Sequence, residues 1–168
     1  MTNCIYFFII GSFLGWMLEV MFKIFTKNFK RLPGILNSPF CILYGFGTLI
    51  CYIISATTQN LLLQFVLCFI FLTLIEYITY DLLNKIYNIK LWDYSHLRIN
   101  AGGKISLKYS LIWGTIGIIF IHIIMPICNV WLVFNNNIAL KIVLLVLITY
   151  IAWDFLESSK KLLKISSN

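Results

Sequence analysis

Three acidic residues carry most of the chemistry that this sequence could perform. Glu19, Glu76 and Asp154 all lie inside long apolar runs. A carboxylate at membrane depth is costly, so such a group usually binds a cation, relays a proton or holds a polar substrate. The other three acids lie nearer the ends of apolar runs, and they are Asp81, Asp93 and Glu157.

Membrane spans are the elements that must position these carboxylates. The chain has 168 residues, of which 61% are hydrophobic and 11% are charged, and its mean hydropathy is +0.92. That apolar content is enough for about five spans of ~20 residues each. The composition excludes a soluble enzyme, a disordered chain and a nucleic-acid-binding domain. The net charge of +7 is interpreted as loop charge that sets orientation, so no nucleic-acid partner is expected.

Five transmembrane helices are predicted, at residues 5–25, 41–57, 61–83, 111–134 and 138–157. Counting the basic residues that each segment holds or borders, the four connections and the tail have 4, 0, 5, 1 and 3 in turn. By the positive-inside rule, this alternation predicts the N-terminus outside and the C-terminus in the cytoplasm. We therefore expect an all-α, polytopic integral membrane protein, with residues 1–168 forming a single transmembrane helical-bundle domain.

On this topology the three deep carboxylates fall in the inner half of the membrane and are predicted to meet in a polar cluster. Gly11, Gly15 and Glu19 recur every four residues, so a helix packed on the glycines would bury Glu19 in the bundle. Three buried carboxylates need compensating positive charge. The loop residues predicted to complete the cluster are Arg31, Asp93, Arg98, Asn100 and Lys104. Two interpretations stay open: an ion-pair network that only fixes packing, or a cation, proton or polar-substrate site.

The first loop is too apolar for a solvated connection. Pro33-Gly34 predicts a turn, and Pro39 interrupts any helix in the stretch that begins at Ile35. This stretch is predicted to dip into the bundle, where protein covers its backbone.

His122 lies near the middle of the fourth span and is interpreted as a hydrogen-bonded core histidine in preference to a proton relay. No metal-ligand, phosphate-loop or nucleophile motif occurs, so no cofactor is expected.

A series of short motifs resembles a known family. The motifs are Gly15-Trp16-x-x-Glu19, Arg31…Gly34…Pro39-x-Cys41-Ile42-x-Tyr44-Gly45, Glu76-Tyr77, Trp92-Asp93-Tyr94-Ser95, Asn100…Gly103-Lys104-Ile105 and Ser110-Leu111-x-Trp113-Gly114. Together and in this order they resemble the ABC-transporter type IV (CmpB-like) family of bacterial membrane proteins. The chain departs from the family pattern at Leu32, Ser38, Ile42 and Lys104, which changes local turns more than chemistry.

The resemblance implies a permease-like subunit of a membrane transporter, with no substrate indicated. Because no ATP-binding motif is present, such a subunit would need a separate ATPase at its cytoplasmic face, and a second copy of itself or another subunit. Two other hypotheses stay open. The chain could be a non-transporting accessory or scaffold membrane protein, or an intramembrane enzyme that uses the inner acids on a lipid-linked substrate.

Overall fold

The computed structural model describes residues 2–26, 34–135 and 137–166. Its helices are α1 (Thr2–Phe25), α2 (Ile42–Thr57), α3 (Leu61–Tyr87), α4 (Leu107–Ile119), α5 (Met125–Asn135) and α6 (Ile138–Ser166). A π-helical turn, Phe120–Ile124, joins α4 to α5, and two-residue strands β1 (Asn100–Ala101) and β2 (Ile105–Ser106) pair antiparallel. The prediction of an all-α protein is confirmed, because the structure is 79% helical.

In the part of the chain that the structure describes, four helices are long and apolar enough to cross a membrane. They are Thr2–Phe25, Leu61–Tyr87, Leu107–Val133 and Ile138–Lys164. The remaining apolar helix, α2, has 16 residues, and its length of about 24 Å is less than a hydrocarbon core of about 30 Å. The chain is therefore a multi-pass membrane protein, while the fifth span and the orientation stay predictions.

Helices α1 and α2 pack antiparallel and in close contact. Gly11 lies against Thr48, and a Cβ built on Gly15 would lie only 2.1 Å from Cγ of Tyr44. The Thr48 hydroxyl donates a hydrogen bond of 2.9 Å to the carbonyl oxygen of Phe7. The close-packing glycine face predicted on α1 is thus confirmed, and α2 is the helix that covers it.

A second strip of small residues joins α4 to α3. Gly114 lies against the ring of Phe65, and Gly117 lies against Cys68. A Cβ on Gly117 would be 2.7 Å from the Cys68 side chain, so the two helices approach more closely than a larger residue would allow. Helix α4 is therefore packed closely against α3.

The fourth predicted span is interrupted. The π turn at Phe120–Ile124 precedes Pro126, whose missing N–H removes one helical hydrogen bond. His122 lies in this turn with Nε2 2.7 Å from Oε1 of Gln64. The Gln64 amide donates in turn to the carbonyl oxygen of Thr58 at 2.7 Å. The histidine is thus hydrogen-bonded as predicted, but its side chain is exposed instead of buried in the core.

Residues 34–41 enter the bundle without forming a helix, as predicted. The Cys41 N–H donates a 2.8 Å hydrogen bond to the carbonyl oxygen of Ser12, and Ser12 is fully buried near the middle of α1. Ser38 is also buried. Non-helical backbone at this depth is tolerated because the surrounding helices cover it. Helix α2 is short because it begins only where this dipping segment ends.

Candidate functional site

Two of the predicted carboxylates, Glu19 and Glu76, line one cavity. The Tyr44 hydroxyl donates a hydrogen bond of 2.9 Å to Oε1 of Glu19. The Tyr94 hydroxyl donates a hydrogen bond of the same length to Oε1 of Glu76. Glu76 is buried, with only 2% of its surface exposed. The acids come from α1 and α3, and the tyrosines come from α2 and the third loop. Four separate segments therefore meet at this point.

Aromatic rings form much of the wall of this cavity, which has a volume of about 200 Å³. Tyr94 stacks on Tyr109 with ring centres 4.4 Å apart. Tyr44 packs against Trp113 with ring centres 5.1 Å apart, and Trp92 completes the aromatic lining. Carboxylates together with π faces form an environment that suits a positively charged group. We call this cavity the aromatic chamber.

A larger cavity, with a volume of about 410 Å³, adjoins the aromatic chamber. The residues that line both cavities are Glu19, Leu43, Tyr44 and Trp92. Aliphatic side chains of α2 and α3, together with residues 34–35 of the first loop, form most of its remaining wall. We call this cavity the apolar chamber, and the two chambers meet at Glu19.

The third loop positions Tyr94 through a short hairpin. The Tyr94 N–H donates to the carbonyl oxygen of Gly103 at 2.9 Å, and Oδ1 of Asn100 accepts from the Gly103 N–H at 2.9 Å. Gly103 has a φ of +72°, a conformation that favours glycine. Oδ1 of Asp93 accepts from the Ser95 N–H at 2.8 Å, and this bond lowers the pKa of the Asp93 carboxyl. Asp93 and Asn100 thus shape the loop and do not line the chamber.

Two of the basic residues predicted for the cluster, Arg98 and Lys104, lie elsewhere. Nζ of Lys104 lies 2.8 Å from Oδ1 of Asp81 and 4.8 Å from the ring centre of Tyr77. The hydrogen bond to Asp81 raises the pKa of Lys104, so the expected pairing of this lysine with the deep carboxylates is replaced by a pairing near the end of α3. Arg98 is exposed on the third loop. Arg31 lies outside the described residues.

Asp154 is separate from both chambers and fastens the first loop to α6. Its Oδ2 accepts from the Ser38 N–H at 2.8 Å, and its Oδ1 accepts from Nδ2 of Asn37 at 2.9 Å. The Ser158 hydroxyl donates to Oδ1 at 3.2 Å. The residue is 3% exposed. The structure thus brings together two of the three deep acids and gives the third a hydrogen-bond network of its own.

The roles of Tyr44 and Tyr94 are not predictable from the sequence. Both residues occur in the motifs that carried the family resemblance. A tyrosine near the end of a span is equally typical of the aromatic belt at a membrane surface. Tyr94 also follows its partner Glu76 by 18 residues across a helix end, so no helical spacing connects the two. Asn37 and Asp154 are 117 residues apart, so no helical spacing connects this pair either.

Tyr94→Phe should lower the free energy of unfolding by about 1.5–3 kcal/mol, because it removes a hydroxyl donor from a buried carboxylate and keeps the ring. Tyr44→Phe should cost less, since Glu19 is more exposed than Glu76. Tyr150→Phe is the control, because Tyr150 is 44% exposed on α6 and should tolerate the change. Thermal unfolding in one detergent measures all three variants. Equal stability of Tyr94→Phe and Tyr150→Phe would contradict the assigned hydrogen bond.

Comparison with known proteins supports the resemblance found in the motifs. No curated protein and no solved structure matches the chain. The model of the family described as "Putative ABC-transporter type IV" matches residues 6–159, a range that includes both chambers and the Asp154 network. The chain belongs to this family of transporter-related membrane proteins.

Proposed function

We propose that this chain is the permease-like subunit of a membrane transporter and that the two chambers are its substrate site. The observation that supports this proposal best is the pair of connected cavities beside the carboxylates. Ligand sites are clefts or cavities that commonly have volumes of about 300–1,000 Å³. An acidic pair that only fixed helix packing would not need chambers of about 200 and 410 Å³ beside it.

We further propose that α2 is a fifth span, which makes the N-terminus external and the C-terminus cytoplasmic. Helix α2 runs antiparallel along α1 between the levels of Phe7 and Gly15. The dipping residues 34–41 would supply the rest of the crossing. The chambers then lie in the inner half of the bilayer and open toward the cytoplasm. In this proposal residues 1–168 form one helical-bundle domain of the bacterial cytoplasmic membrane.

Reporter fusions test this topology. An enzyme reporter that is active only outside the cytoplasm should be active after Asn60 and Asn136, because the neighbouring connections carry few basic residues. The same reporter should be inactive after Asn37, Asn100 and Asn168. A cytoplasmic signal at Asn60 would overturn the orientation and the fifth span together.

A separate ATPase is the partner that this proposal requires, and a second copy or another subunit would complete the permease. We place the ATPase contact on the third loop, where Arg98 and Ile99 are exposed, Ile99 to 62%. Affinity purification of the tagged chain in mild detergent should recover an ATPase subunit. The Arg98→Glu, Ile99→Asp double variant should lose it, whereas Lys160→Glu on the exposed tail of α6 should keep it. Purification without any ATPase would favour the accessory or scaffold hypothesis.

A further inference from the structure

We propose that the apolar chamber binds an acyl chain of a bilayer lipid, which enters sideways from the leaflet at the Tyr87 end of α3. A lipid would then be the substrate class of the transporter, and that role rests on the proposed function. The binding itself depends only on the length, the wall and the lateral opening of the chamber, which are the same in either orientation of the protein.

The apolar chamber spans about one leaflet of the membrane. Its lining residues on α3 run from Ile75, near the middle of the helix, to Tyr87 at its end, a rise of about 18 Å at ~1.5 Å per residue. Half of a hydrocarbon core of about 30 Å is ~15 Å. On α2 the chamber reaches Phe46, whose neighbour Gly45 packs against Ser12 near the middle of α1. The chamber therefore runs from the middle of the bilayer to its surface, as an acyl chain does.

The wall of this chamber is mostly hydrocarbon. Glu19 lines it where the two chambers meet, and Oε1 of Glu19 accepts a hydrogen bond from Tyr44. A polar ligand in the rest of the chamber would give up its hydrogen bonds to water without replacement. An alkyl chain loses nothing there and gains dispersion contacts that an empty cavity forfeits. The aliphatic part of the wall includes Ile75, Ile78, Leu82, Leu83, Ile86 and Leu91.

The chamber opens sideways into the lipid. Three of its lining residues, Ile78, Leu82 and Ile86, recur every four positions on α3 and form one stripe of the helix. Each of them is between 45% and 51% exposed, and in a multi-pass membrane protein such apolar side chains face hydrocarbon. Phe46 is the exposed lining residue of α2. Leu83 also lines the chamber but is only 8% exposed, so it marks the interior.

The surface end of the chamber indicates which way the lipid lies. Trp92 lines both chambers beyond the end of α3, and its Nε1 donates a hydrogen bond of 2.8 Å to the carbonyl oxygen of Lys104. An indole is typical of the boundary between hydrocarbon and head groups. The acyl chain therefore runs inward from Trp92 to Phe46, and the head group lies at the third loop, next to the aromatic chamber.

Photolabelling of the full-length protein in vesicles of phosphatidylglycerol and phosphatidylethanolamine tests the proposal. Two trace phosphatidylglycerol probes are compared, one with a diazirine near the glycerol end of an acyl chain and one with a diazirine near the methyl end. After irradiation, peptide mass spectrometry should find adducts of the first probe on Leu83 and adducts of the second on Ile75. A lipid that only coats the protein would label exposed positions and leave Leu83 unmodified.

Tryptophan substitutions at the opening provide the matched variants. Ile78→Trp should reduce the Leu83 adducts about ten-fold or more, because the indole fills the opening and excludes the chain. Leu82→Trp is a second variant at the same opening and should have the same effect. Ile70→Trp is the control, since Ile70 is 48% exposed on α3 and lies outside the chamber lining. A thermal-unfolding midpoint for each variant shows whether it is folded.

The proposal would be overturned if Leu83 were unlabelled, if its adducts persisted in both opening variants, or if the two probes labelled α3 in the reverse order. Protection of Ile78 would also overturn it, because a second copy of the chain would then cover the opening. Failure of Leu83 labelling with the ATPase still co-purifying would remove the lipid and leave the transporter proposal intact. Labelling without any ATPase would keep the lipid site and remove the transporter.

Discussion

Asp154→Ala should lower the free energy of unfolding by about 3 kcal/mol or more and release the first loop from α6. The carboxylate accepts hydrogen bonds from the Ser38 N–H and hydroxyl and from the Asn37 side chain. Buried donors that lose their acceptor cost about 1–3 kcal/mol each. Thermal unfolding in detergent measures the stability. The rate at which a maleimide modifies Cys41, which is 8% exposed, should rise as the loop leaves the bundle.

Glu157→Ala is the matched control on the same helix. Glu157 pairs with Lys160 at 3.2 Å, and the side chains of Lys160 and Glu157 are 70% and 38% exposed. Such an exposed pair contributes about 0–1 kcal/mol, so the control should unfold close to the wild-type temperature and leave Cys41 protected. If both variants lost the same stability, Asp154 would not be the fastening between loop and helix.

Gly15→Ala should destabilise the protein by about 1–3 kcal/mol, the usual cost of overpacking a close interface. The new Cβ would lie 2.1 Å from Cγ and 2.2 Å from Cβ of Tyr44, so α1 and α2 must separate or Tyr44 must turn. Either movement draws the Tyr44 hydroxyl away from Glu19. The variant should therefore unfold at a lower temperature than the wild type.

Gly47→Ala, on α2, is the control for Gly15→Ala. A Cβ at Gly47 would make only an ordinary contact of 3.5 Å with Cδ2 of Leu72. Alanine is the better helix former by about 1 kcal/mol, so this variant should match or exceed the wild-type stability. The account of the α1–α2 interface would be wrong if Gly15→Ala were as stable as Gly47→Ala.

That Glu19 and Glu76 lie near one another could be predicted from the sequence, because span bounds and charge alternation place both residues toward the same end of the bundle before any packing is known. The partners of these acids could not be predicted in the same way. Tyr94 reaches Glu76 only because the hairpin turns at Gly103 and returns the loop to α3. A contact of this kind depends on tertiary packing and leaves no periodic signal.

The end of the third span shows the same limit. The predicted span ends at residue 83, whereas α3 continues to Tyr87 and closes at Asn88, which adopts a left-handed conformation with φ of 54°. Hydropathy detects the part of a helix inside the hydrocarbon core and misses the polar turn beyond it. Lys85, in that turn, pairs at 2.6 Å with Asp81, which lies inside the predicted span.

Cysteine accessibility from the two sides of the membrane is the most direct test of the central claim, that a chamber lined by Glu19 and Glu76 opens to the cytoplasm. Leu43→Cys and Ile112→Cys place a thiol on the lining of the aromatic chamber, and Val146→Cys places one on α6 at a residue 59% exposed on an apolar face. A thiol reacts with maleimide as the thiolate, which requires water. Peptide mass spectrometry should find the chamber positions modified by a membrane-impermeant maleimide in inside-out vesicles but not in right-side-out vesicles, and position 146 modified in neither. Chamber positions that stay unmodified from the cytoplasmic side, or that react from the outside, would contradict the account.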